Sequence, residues 1–468
     1  MNQDPPRDPD SLPRVLGPFD AYALVVGCII GSGIFLKPSG IARDVGSFPW
    51  IIAVWLFVGL VALCGALAIA ELAAMLPRAG GPYVYLREAY GRLSAFLWGW
   101  AEFWINRSAS LGALAAACVL YFNRAFPFSE RWHEAATMSL VIGLTLINIL
   151  GVRWGATVQN FTVICKLGVL LAIAAMPLLS GKGEVANLSS VTPAAAVGSW
   201  DFIKALGAAM IAVWWAYDGW INVGPVAEEV KNPQRIVPLA LVTGLLSVIG
   251  VYCLANVGYH AAFSMSQVAG SEAIASDTLQ LWFGGIGATV AALAVAISTL
   301  GAANGNLIVG PRVIFSVARD GLLPARMKRV HHRFQTPANA ILLQCLWGLI
   351  LVRIAFYLAA SSGKSIGDAF DWLTDFAIFG SSIFYSMAVA AVFVLRRKMP
   401  DAERPYRVWG YPYTTIFYLV GFAAFVVSMF IKRPGQSLAG CGLIALGAVY
   451  YWFALRLARA PGGDKQSA

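Results

Sequence analysis

The stretch GCIIGSGIFLKP, residues 27–38, interrupts the first long apolar run of this 468-residue chain. Gly27, Gly31, Ser32 and Gly33 cluster where an unbroken membrane helix would place its middle turns. Glycine inside a helix costs about 1 kcal/mol relative to alanine, so the cluster predicts a break. An unpaired peptide group in hydrocarbon is expensive, and irregular backbone persists there only beside protein, water or a ligand. Unwinding from Ile29 to Gly33 leaves a half-helix that begins near Ile34. Its free N–H groups and positive dipole end then face a cavity that suits a carboxylate.

A second interrupted stretch, AVWWAYDGWINVGPVAEEVKNPQRIVP, occupies residues 212–238. Asp218 and Gly219 stand among aromatic residues, and Gly224-Pro225 follows within two turns. Carbonyls released from Trp215 through Ala216, Tyr217, Asp218 and Gly219 would accept hydrogen bonds from an ammonium. Donors on one helix and acceptors on the other describe a receptor for a zwitterion. Taken alone, a GSG triplet more often marks close packing of small residues. Two breaks five helices apart are instead the expected trace of an inverted repeat, with discontinuous helices meeting near the midplane.

Composition sets the class within which the breaks are read. With 59% hydrophobic and 12% charged residues, the chain falls outside the range of water-soluble domains. Apolar windows of about 20 residues, enough to cross a bilayer, recur at 20–45, 49–76, 93–123, 135–152, 156–180, 203–228, 236–261, 283–317, 336–358, 369–396, 411–431 and 437–458. The expectation is an all-α membrane protein of twelve transmembrane helices in a 5+5 inverted repeat, with helices 1 and 6 discontinuous. Its divisions are an amino-terminal tail (1–17), a transport core (18–400), two further helices (401–460) and a carboxy-terminal tail (461–468). The polar, Pro-rich tail lacks a small-residue cleavage site, so the first span reads as a retained helix.

Lys and Arg concentrate on one side: about 21 against about 8 when loops are counted alternately, which places both termini in the cytoplasm and the protein in the cell membrane. The net charge of +10 thus reports orientation in lipid rather than nucleic-acid binding. The seven cysteines show no CxxC spacing, and read as free thiols rather than a metal site or disulfide framework. No P-loop, catalytic triad or metal-ligand cluster appears at workable spacing, so neither an enzyme nor a cofactor is expected.

Lys166 is the most informative single charge, about 10 residues from either end of the fifth span and too deep to reach water easily. It reads as a fixed bridge between the first and eighth helices, as a proton carrier, or as a lysine paired for packing. Ser298, Thr299 and Asn304 in the eighth span offer polar contacts that could face it. Glu71 and Glu102 lie in spans two and three, and Arg107 with Glu102 reads as a packed pair ahead of the alternative, a role in transport. Among the aromatic residues beside the second break, Trp215 is the candidate to close over a ligand.

These stretches, together with AELAAMLPRAGGPYVYLREAYG (70–91), STLGAANGNLIVGPRVIFSVARDGLLP (298–324) and RKMPDAERPYRVWGYP (397–412), resemble the L-type amino acid transporters of the amino acid-polyamine-organocation superfamily. The resemblance covers about residues 15 to 430. It implies a LeuT-like fold with Ile30, Gly31, Ser32, Gly33 and Ile34 holding the substrate carboxylate and the sixth helix holding its amino group. It implies that Trp215 is the aromatic gate, that Lys166 makes transport sodium-independent, and that Asn304 matches an eighth-helix asparagine. Glu228, Glu229, Asn232 and Pro233 match the exit of the sixth helix.

The chain departs from animal members in having no cysteine in NRAFPFSERWHE (123–134), so no disulfide-linked heavy subunit is expected. It also departs in carrying an aspartate at position 218. The function expected is sodium-independent exchange of neutral L-amino acids by alternating access around one central site. The nearest alternatives are a proton-coupled or cationic amino acid permease, and beyond those a receptor or channel.

Overall fold

The computed structural model describes residues 11–181, 183–192, 198–363, 383–432 and 434–459. Among them the regular structure is helical, with only two isolated β-bridges, Leu16 with Val230 and Ser47 with Val191. Nine helical stretches there are long and apolar enough to cross a membrane, which makes this a multi-pass membrane protein. The sixth expected span is divided by its break, and the twelfth survives as the shorter apolar helix Ser437–Phe453. Of the tenth, expected at 369–396, residues 369–382 lie outside the described residues, as do positions 1–10 and 461–468 of the tails.

The first span is three helices: α1 (Pro18–Ile29), α2 (Gly33–Leu36) and α3 (Pro38–Val45). Pro18 begins α1, and the Asp20 carboxylate accepts from the Gly17 N–H at 2.7 Å, which uses one of the donors a helix start leaves open. Ile30 turns the chain out of the helix into extended backbone. Then come α4 (Phe48–Met75), α5 (Pro82–Tyr90) and α6 (Arg92–Ala101). A π-helical turn, Glu102–Arg107, joins α6 to α7 (Ser108–Ala125). The third span was expected to run straight through.

Next are α8 (His133–Leu150), α9 (Val152–Leu179) and α10 (Trp200–Tyr217). Asp218 stops α10 in extended backbone, and Gly219 follows at φ 102° before a 3-10 stretch, Trp220–Glu229. Glycine is required there twice over: the left-handed backbone disfavours any side chain, and a Cβ would lie 2.7 Å from the Cys28 carbonyl oxygen. The chain continues through α11 (Pro233–Ala262), α12 (Met265–Gly270), α13 (Ile274–Phe283), α14 (Gly285–Arg319) and α15 (Ala338–Ser362). Helical residues 383–398 (α16), α17 (Tyr413–Lys432) and α18 (Pro434–Arg459) complete it.

α1 packs against α9, α11, α14 and the 3-10 stretch, so both broken helices lie inside the bundle. α9 shows how the sequence achieves this. Gln159, Thr162, Lys166, Leu170 and Ile173 recur at helical spacing and are buried, while Phe161, Ile164 and Leu171 face outward. The apolar outer face suits lipid, and the polar inner face meets α1.

Candidate functional site

Both breaks leave peptide groups that a continuous helix would have paired. Gly27 loses its usual partner because the Gly31 N–H turns instead to the Ile29 carbonyl at 2.9 Å. Lys166 Nζ replaces it, donating to the Gly27 carbonyl at 2.8 Å and the Ile30 carbonyl at 2.6 Å. Ser298 Oγ donates to the Gly31 carbonyl at 2.8 Å and also reaches that of Ile30. Tyr252 links the two breaks, its hydroxyl lying 2.9 Å from the Ala216 carbonyl and 3.3 Å from that of Ile29. The side chains of α9, α11 and α14 thus do for the broken backbone what helical hydrogen bonds do elsewhere.

Some groups remain free. Among the described residues, the N–H groups of Ser32, Gly33 and Ile34 meet no acceptor, and the carbonyls of Tyr217 and Asp218 meet no donor. Between the breaks is a cavity. Gly31, Ser32 and Gly33 line one side, and Trp215, Ala216, Asp218 and Gly219 line another. Ile30, Ile34 and Tyr217, grouped with them from sequence, are buried in the packing and do not line it. Of these free groups, those on residues that line the cavity are the N–H groups of Ser32 and Gly33 on one side and the Asp218 carbonyl on the other. That is the arrangement a zwitterion needs.

The third wall was not foreseen. Arg107, Asn222 and Asn306 line the cavity, each nearly inaccessible to solvent. The Arg107 Nε–H donates to Glu102, Nη2 donates to the Asn222 side-chain oxygen at 2.7 Å, and Nη1 to that of Asn306 at 3.2 Å. The ion pair with Glu102 read from sequence is present, yet it belongs to the cavity wall rather than to packing alone.

The comparisons with known proteins agree with this geometry. The amino acid permease family profile matches residues 16–454. The chain belongs to that family. This permease is 32% identical to the serine/threonine exchanger SteT of Bacillus subtilis (strain 168) over 96% of its own length and 99% of that protein. It is 31% identical to the human cystine/glutamate transporter, over 87% of this chain and 79% of that one. Against the mouse large neutral amino acids transporter small subunit 2 it is 30% identical, with 94% and 81% covered. Amino acid transport, rather than enzymatic turnover, is therefore the permease's general activity.

Two further residues take places the sequence did not give them. Asn304 neither lines the cavity nor meets Lys166; its amide donates to the Gly155 carbonyl at 2.9 Å and Gln159 at 3.1 Å, and it accepts from Asn148 at 2.9 Å. It joins α14 to α8 and α9. Glu71 accepts two hydrogen bonds from Arg396, at 2.9 and 2.6 Å, and one from the Val408 N–H at 2.8 Å, so it anchors the segment after α16.

At the end of the permease that carries the amino terminus, the chain before α1 is tied to the 3-10 stretch. Val15 and Leu16 donate their N–H groups to the Glu229 carbonyl, and Lys231 returns one to Leu16. The Glu229 carboxylate forms a buried two-point pair with Arg312, at 2.7 and 3.0 Å. Glu228 accepts from the N–H groups of Leu12 and Ala79 and from both terminal nitrogens of Arg319.

Proposed function

We propose that this permease exchanges neutral L-amino acids across the cell membrane, independently of sodium, by alternating access around the cavity between the two breaks. One observation carries the reading: one cavity is lined on one side by Ser32 and Gly33, whose N–H groups are free, and on another by Asp218, whose carbonyl is free. The substrate carboxylate binds the first set, its ammonium the second, and Trp215 closes over it. Lys166 and Ser298 hold the break open as fixed bridges. Sodium independence follows from a lysine ammonium already seated on the carbonyls of Gly27 and Ile30, where a cation would otherwise be coordinated.

In this reading residues 18–400 are a core of ten helices in two inverted sets of five, and 401–460 add two more, twelve in all. A bundle of helices 1, 2, 6 and 7 rocks against a scaffold of 3, 4, 5 and 8. Both termini are cytoplasmic, and the protein works without a disulfide-linked heavy subunit. The serine/threonine exchanger it resembles supports exchange and a neutral substrate. Asp218 on the cavity wall favours a second reading, a cationic amino acid permease, since a carboxylate there would attract a basic side chain.

Purified protein in lipid vesicles tests these readings. Uptake of labelled amino acid should require unlabelled amino acid inside and should be unchanged when sodium is replaced by choline. Uptake into empty vesicles driven by a proton gradient would point to coupling instead. Stronger competition by lysine and arginine than by neutral amino acids would favour the cationic alternative.

A further inference from the structure

We propose that Arg107 is the residue that selects the substrate side chain, and that it favours neutral amino acids bearing a hydroxyl. The inference rests on the central cavity being the amino acid site. It begins with the π-helical turn. In an α-helix, residues five apart point about 140° away from each other. A π-helix pairs position i with i+5 and brings such residues onto one face. The turn Glu102–Arg107 therefore lets Glu102 hold both Asn106, at 2.6 Å, and Arg107. Without it the guanidinium would turn away from the cavity.

A guanidinium has five N–H donors. Three are engaged, by Glu102, Asn222 and Asn306, and two find no acceptor among the described residues. Arg107 borders the cavity, so those two donors are available to a ligand. Leaving buried donors unpaired is costly, and a ligand oxygen relieves that cost where a methyl group does not. The charges narrow the choice. Glu102 already offsets the guanidinium, and Asp218 shares the cavity within electrostatic reach of both. An anionic side chain would add a third negative charge, and a cationic one would face the guanidinium. A hydroxyl accepts from Arg107 and donates to Asp218 at once.

Threonine and valine have nearly the same shape and differ in this one group. In vesicles exchanging labelled L-alanine, threonine should compete at about a tenfold lower concentration than valine. Arg107→Met should reduce that ratio to about one, and Arg107→Lys should fall between. A wild-type ratio near one, or an unchanged ratio in Arg107→Met, would overturn the proposal. Should Arg107→Met fail to fold, Glu102→Gln/Arg107→Met removes both charges together and should likewise bring the ratio to about one; a retained ratio there would overturn the proposal. Failure of the wild type to exchange any labelled amino acid would strike the transport reading rather than this one.

Discussion

Gly33 and Ala216 touch across the two breaks so closely that a Cβ on the glycine would lie 2.8 Å from the alanine Cβ. Gly31, two residues earlier on the same wall, has nothing within 4 Å of the corresponding position. The two glycines thus serve different ends. Gly33→Ala should force the broken helices apart and lower thermal stability, by about 1–3 kcal/mol. Gly31→Ala should leave stability unchanged and put a methyl group into the cavity, weakening substrate affinity at least about tenfold. Thermal unfolding and exchange measured on both variants check this; equal stabilities would refute the contact.

Lys166 supplies the one donor that the Gly27 carbonyl has in place of its missing helical partner. The Ile30 carbonyl is less dependent, since Ser298 also reaches it. Lys166→Ala should therefore strand one buried carbonyl, cost about 1–3 kcal/mol and slow exchange by allowing the break to rearrange. Lys166→Gln keeps an N–H donor and should recover part of both losses. Exchange rates in Lys166→Ala equal to wild type would reduce the lysine to a packing element.

Tyr252 was not singled out in the sequence, because a tyrosine in an apolar helix carries no positional signal there. In the folded protein its hydroxyl joins α11 to both breaks through Ala216 and Ile29. Tyr252→Phe keeps the ring against Trp55 and Tyr217 and removes only the one O–H donor that the two carbonyls share. A stability loss of about 1 kcal/mol with a larger fall in exchange rate is expected. A fall in stability without any change in exchange would show that the link is not used in transport.

The breaks were legible because glycine and the residues around it act locally: Gly31, Ser32 and Gly33 sit where helix propensity fails, and Gly219 where the backbone turns left-handed. Lys166 was legible for the opposite reason, a charge too deep in an apolar span to be left unpaired. Arg107 was placed with its partner Glu102, but its place on the cavity wall was not read from the sequence. Helical periodicity of 3.6 puts it and Glu102 on different faces, and no propensity scale announces a π turn. Asn304 was offered as a polar contact that could face Lys166, and only tertiary packing decides that Gly155, Gln159 and Asn148 are its partners.

Glu228 is the point at which four separated parts of the chain converge. Its two carboxylate oxygens accept from Leu12 before α1, Ala79 after α4 and Arg319 at the end of α14, and it is itself part of the 3-10 stretch that follows the second break. Hydrogen bonds to a charged group are worth about 1.5–3 kcal/mol each, so this carboxylate holds these four segments together. Glu228→Gln offers one acceptor oxygen in place of two and no charge for Arg319. The four segments should then separate more often. Amide hydrogen exchange at residues 12–17 and 228–231 should quicken by about tenfold or more, while helices α4 and α11 keep their protection. Unchanged protection at residues 12–17 would mean that the Val15 and Leu16 bonds to Glu229 suffice to hold that end without Glu228.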